Sequence, residues 1–475
     1  MAIAAAGATR SHSDLREFRI PLWAHAGLLL GSVFVVVLHI RAVPISAQHW
    51  GLFQNMVDVL VYGAGGVRVR EGVPLYDGNV LTDLPFTYPP FAAVLFTGVA
   101  WIASFGKTIL IAAWSAATIG ALWLTIVLSW RALGYRVSWQ LLVVSTYLAF
   151  IVTWLEPVRT TIWYGQINLI LMALLIWDLT RRHGSALRGW SVGITAGIKL
   201  TPGFFFVYLA LTKQWRAFVT GAVAFAATVA VGFLVIPRDA LTFWQGTMLQ
   251  SERVGEINSP ANQSITGALA HLLRVPEPPL AAVGAATVVV LLLGLTAIWL
   301  AHRAGHQLLA LTLTGLTACM VSPFSWGHHW VWFVPLLIIL CDYAVRVQHR
   351  AVAARLAWLL PIALYLVAAC WIQEFIDERQ PTGVFYAIGT FMLLPPQPGL
   401  VTLVRVAYPL VYLIIVIIVV AVFLTGALRK RSRAKHRDGD LNQPAAAAEP
   451  VRSHNPPAPD TLHITRERPE ISAWH

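Results

Sequence analysis

Residues 22–40 read LWAHAGLLLGSVFVVVLHI and contain no acidic residue, lysine or arginine. A helix needs about 20 apolar residues to cross the hydrocarbon core of a bilayer, so this run can form a membrane span. Arg10, Arg16 and Arg19 precede the run, and no small-residue cleavage site follows it. We therefore expect an uncleaved first span, with residues 1–21 in the cytoplasm.

Similar apolar runs recur along almost the whole chain of 475 residues, of which 57% are hydrophobic and 12% are charged. The mean hydropathy is +0.67. Because soluble domains carry about 25% charged residues, the composition predicts an all-α, polytopic membrane protein. Cys319, Cys341 and Cys370 lie within apolar runs and are expected to be core residues rather than disulfides or metal ligands.

The apolar runs predict about 12 transmembrane segments. They cover residues 22–40, 88–105, 108–130, 138–157, 165–180, 189–212, 217–236, 280–303, 307–321, 329–345, 355–373 and 400–428. The net charge of +12 comes from basic residues in short loops and at both ends, which reports topology rather than nucleic-acid binding. If the basic stretch 429–433 is cytoplasmic and each span changes the side of the membrane, counting backward places the loops 237–279, 322–328 and 374–399 outside the cell.

Upstream of residue 217, the loops cannot simply alternate between the two sides of the membrane. A single apolar run there separates two basic loops that should both be cytoplasmic. Within that run, residues 197–203 read GIKLTPG. Glycine and proline can break a helix there, which predicts a hairpin of two half-helices with Lys199 near its tip. The sequence Phe105–Lys107 is a similar possible break. We divide the chain into a transmembrane domain at 22–428, which includes a first extracytoplasmic loop at 41–87, and a disordered basic cytoplasmic tail at 429–475.

The first loop contains an acidic residue in an unusual setting. Residues 52–62 read LFQNMVDVLVY, and a helix over this stretch would place Gln54, Asp58 and Tyr62 along one side. A carboxylate presented by a short helix at the membrane surface is a candidate general base for a lipid-linked substrate. The plain alternative is a solvated surface acid. Asp77 and Asp83, in the same loop, are expected to be turn or surface residues.

Four further polar clusters interrupt the apolar sequence: 164–168 (YGQIN), Lys199 with Pro202, 262–264 (NQS) and 322–330 (SPFSWGHHW). Polar groups at membrane depth are unfavourable unless they line a cavity or pathway, so together they predict a shared cavity on the outer side. Each has a plainer interpretation. Lys199 could extend to the interface, His328 and His329 could be an interfacial pair, and Gln166 could join helices. Adjacent histidines project in different directions, so no metal site is predicted.

The spacing of these motifs resembles one enzyme family. The motifs are Asp58-x-x-x-Tyr62, Thr87-Tyr88-Pro89-Pro90-Phe91, Gly165-Gln166-x-Asn168, Gly197-x-Lys199-x-x-Pro202 and Ser322-Pro323-x-Ser325-Trp326-x-His328-His329-Trp330. Together they resemble the actinobacterial polyprenyl-phosphate-sugar-dependent glycosyltransferases of the GT-C class. Within that class the chain is most similar to the mycobacterial α-1,2-mannosyltransferases that extend phosphatidylinositol mannosides. The resemblance extends over residues 20–428.

The resemblance implies a GT-C-type helical bundle with extracytoplasmic juxtamembrane helices in the plasma membrane. It also implies an inverting, metal-independent mannosyl transfer without a cofactor, from polyprenyl-phosphate-mannose to a phosphatidylinositol mannoside, on the extracytoplasmic face. Asp58 then corresponds to the base. We expect Lys199, His328 and His329 to bind the donor phosphate, and Tyr62, Gln166, Asn262 and Gln263 to contact sugar hydroxyls.

Other functions are compatible with parts of the sequence. The same chemistry could transfer arabinofuranose from a polyprenyl phosphate, and composition does not distinguish the two sugars. A transporter or lipid flippase would account for a broken helix at Lys199, but no internal repeat supports that function. A non-enzymatic scaffold would leave the buried polar clusters unexplained. No Walker or dinucleotide-binding motif is present, so the energy for a reaction must arrive with the substrate.

Overall fold

Helices form nearly all of the regular structure in the computed structural model, which describes residues 15–41, 51–250, 253–347, 351–369, 373–374, 385–386 and 405–441. They are α1 (Leu22–Arg41), α2 (Val57–Glu71), α3 (Pro90–Ala103), α4 (Lys107–Ala132), α5 (Trp139–Val152), α6 (Glu156–Tyr164), α7 (Asn168–Leu179), α8 (Trp190–Ile198), α9 (Phe205–Leu211), α10 (Trp215–Val235), α11 (Pro237–Gln245), α12 (Ile265–Leu273), α13 (Leu280–Arg303), α14 (Gln307–Val321), α15 (Phe333–Val347), α16 (Ala351–Ala369) and α17 (Ala407–Leu441).

Shorter elements connect these helices. Three are 3₁₀ helices, at Thr201–Phe204, Thr247–Leu249 and Gly327–Trp332. Two antiparallel hairpins pair β1 (Asn79–Leu81) with β2 (Leu84–Pro85), and β3 (Gln373–Glu374) with β4 (Phe385–Tyr386). Residues up to Leu424 form one compact unit, and a second unit begins at Thr425. Most of the predicted disordered tail, residues 442–475, lies outside the described residues.

The chain is a polytopic, all-α membrane protein. Within the described ranges, six helices are long and apolar enough to cross a membrane, and a bent pair, α5 with α6, makes a seventh if it forms one span. Five shorter apolar helices correspond to further predicted segments. The bounds of α13 and α14 are those predicted from the sequence, 280–303 and 307–321.

The region predicted as a single span at 138–157 is two helices. Helix α5 ends at Val152, and α6 follows at an angle of 82°. Leu155, between them, is extended, and Pro157 stands at the start of α6. A proline inside a continuing helix would leave a carbonyl without its N–H partner, whereas the first turn of a new helix tolerates it, so the chain bends here. Helix α6 was not expected as a separate element, and neither were α11 and α12.

Helix α2 begins later than the sequence pattern suggested. Met56 adopts a left-handed conformation (φ 50°), and its N–H donates to the Trp163 carbonyl at 2.8 Å, so the helix starts at Val57. Gln54 therefore lies outside the helix. Tyr62 is fully buried rather than on a solvated face. Asp58 occupies the first helical turn, which directs its carboxylate toward α6 and α7 instead of solvent.

Two glycines bring α2 close to its neighbours. A Cβ atom at Gly66 would lie 2.2 Å from the Phe96 carbonyl oxygen of α3, and one at Gly65 would lie 2.5 Å from the Phe86 ring. At Gly66 only glycine permits this approach, because a contact under 3.0 Å to backbone cannot be relieved by side-chain rotation. The close packing of α2 on α3 fixes the position from which Asp58 and Tyr62 extend.

The predicted helix break at Lys199 is confirmed. Helix α8 ends at Ile198, Lys199 is extended (φ −146°, ψ 126°), and the 3₁₀ turn with Pro202 leads into α9. The Lys199 N–H still donates to the Thr195 carbonyl at 2.9 Å, so the backbone remains anchored while its side chain leaves the helical path. The break allows the ammonium group to reach residues of α7 and of the 327–332 turn.

Candidate active site

Asp58 lies beside Gln166 and near enough to Lys199 for their charges to interact. Asp58 keeps a partly accessible surface. Burial raises the pKa of its carboxyl group to about 6, and the Lys199 charge and the neighbouring Gln166 amide oppose that rise. A carboxyl group with that pKa can accept a proton near neutral pH, as a general base must. Asp77 and Asp83 are exposed, as expected.

Gln166 is buried beside Asp58 and receives several hydrogen bonds. Its Oε1 accepts from Tyr62 Oη at 3.1 Å, from Tyr88 Oη at 3.4 Å and from Lys199 Nζ at 3.5 Å. The two tyrosine hydroxyls are also 3.0 Å apart. Gln166 therefore links Tyr62, one helical turn after the candidate base on α2, to the candidate cation after α8.

Three acceptors surround the Lys199 ammonium group. They are Asn168 Oδ1 at 2.9 Å, His329 Nε2 at 3.1 Å and, more distant, Gln166 Oε1 at 3.5 Å. An ammonium group has three N–H donors and no acceptor, so each partner atom must accept. His329 therefore carries its proton on Nδ1, and its Nε2 orients Lys199.

His328 lies beside this cluster but does not join it. Its backbone carbonyl accepts from Asn168 Nδ2 at 3.0 Å and from Thr161 Oγ1 at 3.2 Å. The imidazole lies parallel to the Trp326 ring at 6.3 Å, and Tyr164 contacts it edge-on at 5.3 Å. The His328 Nε2 atom is buried and has no hydrogen-bond partner among the residues that the structure describes. Since buried polar atoms are nearly always paired, this atom is suited to a ligand.

A cavity of about 50 Å³ adjoins Lys199. Its polar wall includes Asn168, Lys199 and His329, and its remaining walls are mainly apolar side chains of α7, α9 and α14 together with Trp332. No group of three or more histidine, cysteine, aspartate or glutamate side chains within the described ranges could hold a metal ion. The site thus combines a carboxylate, an ammonium group and imidazoles next to an apolar space.

Asn262 and Gln263 are fully buried and hydrogen-bond to the protein backbone. Asn262 Oδ1 accepts from the Ser325 N–H at 3.0 Å. Gln263 Nε2 donates to the Arg405 carbonyl at 2.7 Å, and its Oε1 accepts from the Tyr408 N–H at 3.3 Å. These amides join three chain segments around the histidine turn and are not hydrogen-bonded to the Asp58–Lys199 cluster.

Glu156 was not identified from the sequence. Its carboxylate is buried, accepts from Tyr408 Oη at 2.8 Å, and lies where a Cβ atom at Gly327 would be only 2.6 Å away. It therefore supports the start of the turn that carries His328. An acidic residue within the apolar sequence 139–163 was the available signal, but the expected single span concealed it. Tyr88 and Asn168 lay in quoted motifs without an assigned role.

A carboxylate, an ammonium group and hydrogen-bond donors gathered within a helical membrane domain are the groups expected of a transferase site in a membrane protein. The chain belongs to glycosyltransferase family 87, whose model matches residues 86–323. It is 33% identical over 384 residues to the polyprenol-phosphate-mannose-dependent alpha-(1-2)-phosphatidylinositol mannoside mannosyltransferase of Mycobacterium tuberculosis, with 77% of this chain and 85% of the relative covered.

A second kind of relative is equally similar. The chain is 36% identical over 360 residues to the polyprenol-phosphate-mannose-dependent alpha-(1-2)-phosphatidylinositol pentamannoside mannosyltransferase of M. tuberculosis, covering 72% of this chain and 80% of that one. The corresponding pentamannoside enzyme of Mycolicibacterium smegmatis is 34% identical over 338 residues, covering 69% and 78%. No solved structure matches this chain significantly.

Proposed function

We propose that this protein is an inverting mannosyltransferase. It transfers mannose from polyprenyl-phosphate-mannose to the 2-hydroxyl of a mannose on a phosphatidylinositol mannoside, on the extracytoplasmic face of the plasma membrane. The observation that carries the proposal is the proximity of Asp58 to Lys199, since a base and a phosphate-binding cation are the two groups that this reaction requires. The relatives are named as polyprenol-phosphate-mannose-dependent enzymes, which favours mannose over arabinofuranose as the transferred sugar.

The reaction is a single displacement at the anomeric carbon. The Asp58 carboxylate takes the proton of the acceptor 2-hydroxyl while that oxygen forms a bond to C1 of the donor mannose. The C1–O bond to phosphate breaks, and polyprenyl phosphate leaves with the bonding electron pair. Attack opposite the leaving group converts a β-linked donor into an α-linked product. Phosphate leaves without protonation, so one carboxyl group suffices where glycoside hydrolysis uses two.

The leaving phosphate gains negative charge, which Lys199 and His328 are placed to stabilise. All three Lys199 N–H groups are engaged, and the contact with Gln166 is the longest at 3.5 Å. The phosphate would therefore replace Gln166 at the ammonium group while Asn168 and His329 continue to orient it. The unpaired Nε2 of His328 would supply a further hydrogen bond. In this arrangement His329 acts through Lys199.

The predicted sugar contacts divide into two groups. Tyr62 and Gln166 lie against the base, where they can act on the acceptor through Asp58. Asn262 and Gln263 direct their amides to the backbone, so we assign them the role of holding the histidine turn. The partly accessible Tyr164 and Trp326 adjoin His328 and are the nearest aromatic surfaces for a sugar ring.

Membrane arrangement is part of the proposal. About 12 segments would cross or enter the bilayer, with α2 and the 327–332 turn at the outer surface. Lipid-linked donor and acceptor would then reach the site from the outer leaflet, through a lateral opening between helices.

The test is sugar transfer by the purified protein from synthetic polyprenyl-phosphate-mannose to phosphatidylinositol mannosides of several sizes, including the pentamannoside. Asp58→Asn should lower kcat about 10²- to 10⁴-fold, because the amide keeps the size of the side chain but is not a base. Asp77→Asn, an exposed acid in the same loop, is the matched control and should remain active. Near-normal turnover by Asp58→Asn, or lipid transport without transfer, would refute the proposal.

A further inference from the structure

We propose that Asn168 is a positioning residue that holds the Lys199 ammonium group at a fixed place relative to the histidine turn, so that Lys199 and His328 act on one phosphate. The inference rests on the proposed function, in which these two groups stabilise the leaving phosphate. It extends that function to a side chain that acts through its neighbours and need not touch the substrate.

The Asn168 side chain joins two separate parts of the site. Its Oδ1 accepts a hydrogen bond from Lys199 Nζ at 2.9 Å, and its Nδ2 donates to the His328 backbone carbonyl at 3.0 Å. Of the three acceptors around the ammonium group, Oδ1 is the nearest. A single amide therefore connects the cation that follows α8 to the turn that carries the histidines.

The direction of this amide is fixed by both partners. The Lys199 ammonium can only donate, so it must face Oδ1, and the His328 carbonyl can only accept, so it must face Nδ2. A rotated amide would lose both hydrogen bonds and place donor against donor and acceptor against acceptor. The link between the cation and the turn therefore has one stable orientation.

The place of Asn168 in its helix leaves the amide available for this link. Asparagine is favoured at the N-cap, where its side chain accepts a hydrogen bond from the helix backbone. Here Ile167 occupies the N-cap, and Asn168 is the first residue of α7. Its buried side chain contacts Lys199 and His328 instead of capping its own helix. The start of α7 thus provides a common point of attachment for both groups.

The histidine turn has a second attachment that does not involve the cation. Thr161 Oγ1, on α6, donates to the same His328 carbonyl at 3.2 Å. Among the described residues its hydroxyl is otherwise bonded to the Pro157 carbonyl, at 2.7 Å, and not to Lys199. Thr161 and Asn168 therefore share the task of holding the turn, but only Asn168 also holds the ammonium group.

The link matters because the ammonium group ends a flexible chain of four carbons. Without Asn168 it could leave the phosphate during part of each catalytic cycle, and a displacement of about 1 Å can cost about 100-fold in rate. The His328 imidazole is placed by its backbone, so the same amide relates the position of the cation to that of Nε2.

Asn168→Leu tests the inference, because leucine has a similar size and neither accepts nor donates a hydrogen bond. We expect kcat/KM for polyprenyl-phosphate-mannose to fall about 10- to 100-fold, the effect of losing a hydrogen bond to a charged group. The KM for the acceptor should stay within about threefold, because the amide acts on the phosphate side of the site. A general loosening of the fold would change both.

A double-mutant cycle separates positioning from support of the fold. If Asn168 acts through Lys199, adding Asn168→Leu to Lys199→Met should lower kcat/KM further by no more than about threefold. Thr161→Val is the matched control, since it removes the other donor to the His328 carbonyl, and its effect should be the same with and without Lys199→Met. Equal effects of Asn168→Leu in both backgrounds, or a wild-type kcat/KM in Asn168→Leu, would overturn the inference.

If Asn168→Leu does not fold, Asn168→Asp decides the matter. Aspartate keeps the shape and the oxygen that faces Lys199, but it loses the donor to His328 and places a negative charge beside the ammonium group. We expect the KM for the donor to rise at least about tenfold, because this carboxylate competes with the phosphate for Lys199. Asn258→Asp adds the same charge at an exposed position and should keep the wild-type KM. A wild-type donor KM in Asn168→Asp would refute the inference.

Failure of this inference is distinguishable from failure of the proposed function. Should Asp58→Asn and Lys199→Met both lose activity while the Asn168 variants give wild-type or additive kinetics, only this inference fails. Activity in Asp58→Asn would refute the proposed function itself.

Discussion

A carboxylate that accepts a proton must be ionised before the acceptor hydroxyl arrives. Because burial raises the pKa of Asp58 to about 6, the base is mostly ionised above that pH and mostly protonated below it. We expect kcat/KM to be constant above about pH 7 and to fall about tenfold for each pH unit below about 5. Initial rates between pH 4.5 and 8.5 measure this, with donor binding followed separately.

Donor binding provides the control for that profile, because Lys199 should hold the phosphate across the same range. A rate that stays constant down to pH 4.5, or one that falls only because the donor dissociates, would contradict the assignment of Asp58 as the titrating base.

Lys199 and His328 should contribute in different ways to the departure of phosphate. Lys199→Met removes the charge but keeps much of the length, and we expect kcat/KM to fall at least 100-fold because a charge-assisted hydrogen bond is lost in the transition state. His328→Ala should lower it about 10- to 100-fold. The kcat/KM of each variant is measured by varying the concentration of polyprenyl-phosphate-mannose.

Lys107→Met, which removes an exposed lysine at the start of α4, is the control for loss of charge alone. A donor analogue bound more than about 6 Å from both Lys199 and His328, with no bridging water, would exclude their role in stabilising the phosphate.

Single residues could be singled out from the sequence where a charge interrupted apolar sequence. Asp58 and Lys199 stood out for that reason. Their connection did not, because Tyr62 and Gln166 are 104 residues apart in sequence and meet only in the folded chain. The amides of Asn262 and Gln263 show a second limit: composition does not reveal whether a polar side chain faces a substrate or a neighbouring backbone.

At the level of helices, the packing of α2 on α3 is open to a sharp test. Gly66→Ala would place a methyl group 2.2 Å from the Phe96 carbonyl, so α2 must shift. Overpacking of this kind destabilises typically by about 1–3 kcal/mol, and the shift should also displace Asp58. We expect a lower temperature of unfolding in detergent and a reduced kcat.

Gly98→Ala is the matched variant, because it lies in α3 with open space around the added methyl group. It should retain both stability and activity. Equal behaviour of the two alanine variants would show that the close approach of α2 and α3 has no bearing on the site.

Long helices were predicted accurately because an uninterrupted apolar run has few alternatives in a bilayer. Short elements were not. The start of α2 depends on a hydrogen bond from Met56 to Trp163, a residue far away in sequence, and no local pattern encodes it. Helix α6 was merged with α5 because its apolar side chains continue the preceding run, although Pro157 marks its beginning.

At the scale of the whole molecule, the mechanism requires Asp58 and the histidine turn to open on the same side of the membrane. The basic loops predict that side to be extracytoplasmic. Cysteines introduced at Asp77 and Asn258, both exposed, should react with an impermeant thiol reagent in intact cells. One at Gly184, in the exposed loop after α7, should react only after permeabilisation.

Of the three native thiols, Cys319 is buried, Cys341 is partly buried and Cys370 lies outside the described residues, and the parent protein measures their background reaction. The reverse labelling pattern would place the base in the cytoplasm, where soluble nucleotide-sugar donors are available, and would remove the physical basis for a lipid-linked donor.

The contact between Tyr408 and Glu156 joins residues that are 252 positions apart. A ribosome adding about 5–20 residues per second needs roughly 10–50 s to travel between them. Throughout that interval the carboxylate beneath the histidine turn has been synthesised, but the hydroxyl that pairs with it has not. The order of synthesis therefore makes α17 the element that completes the site, and a nascent chain that stops before Tyr408 would carry its base and its cation without the support that sets the histidines.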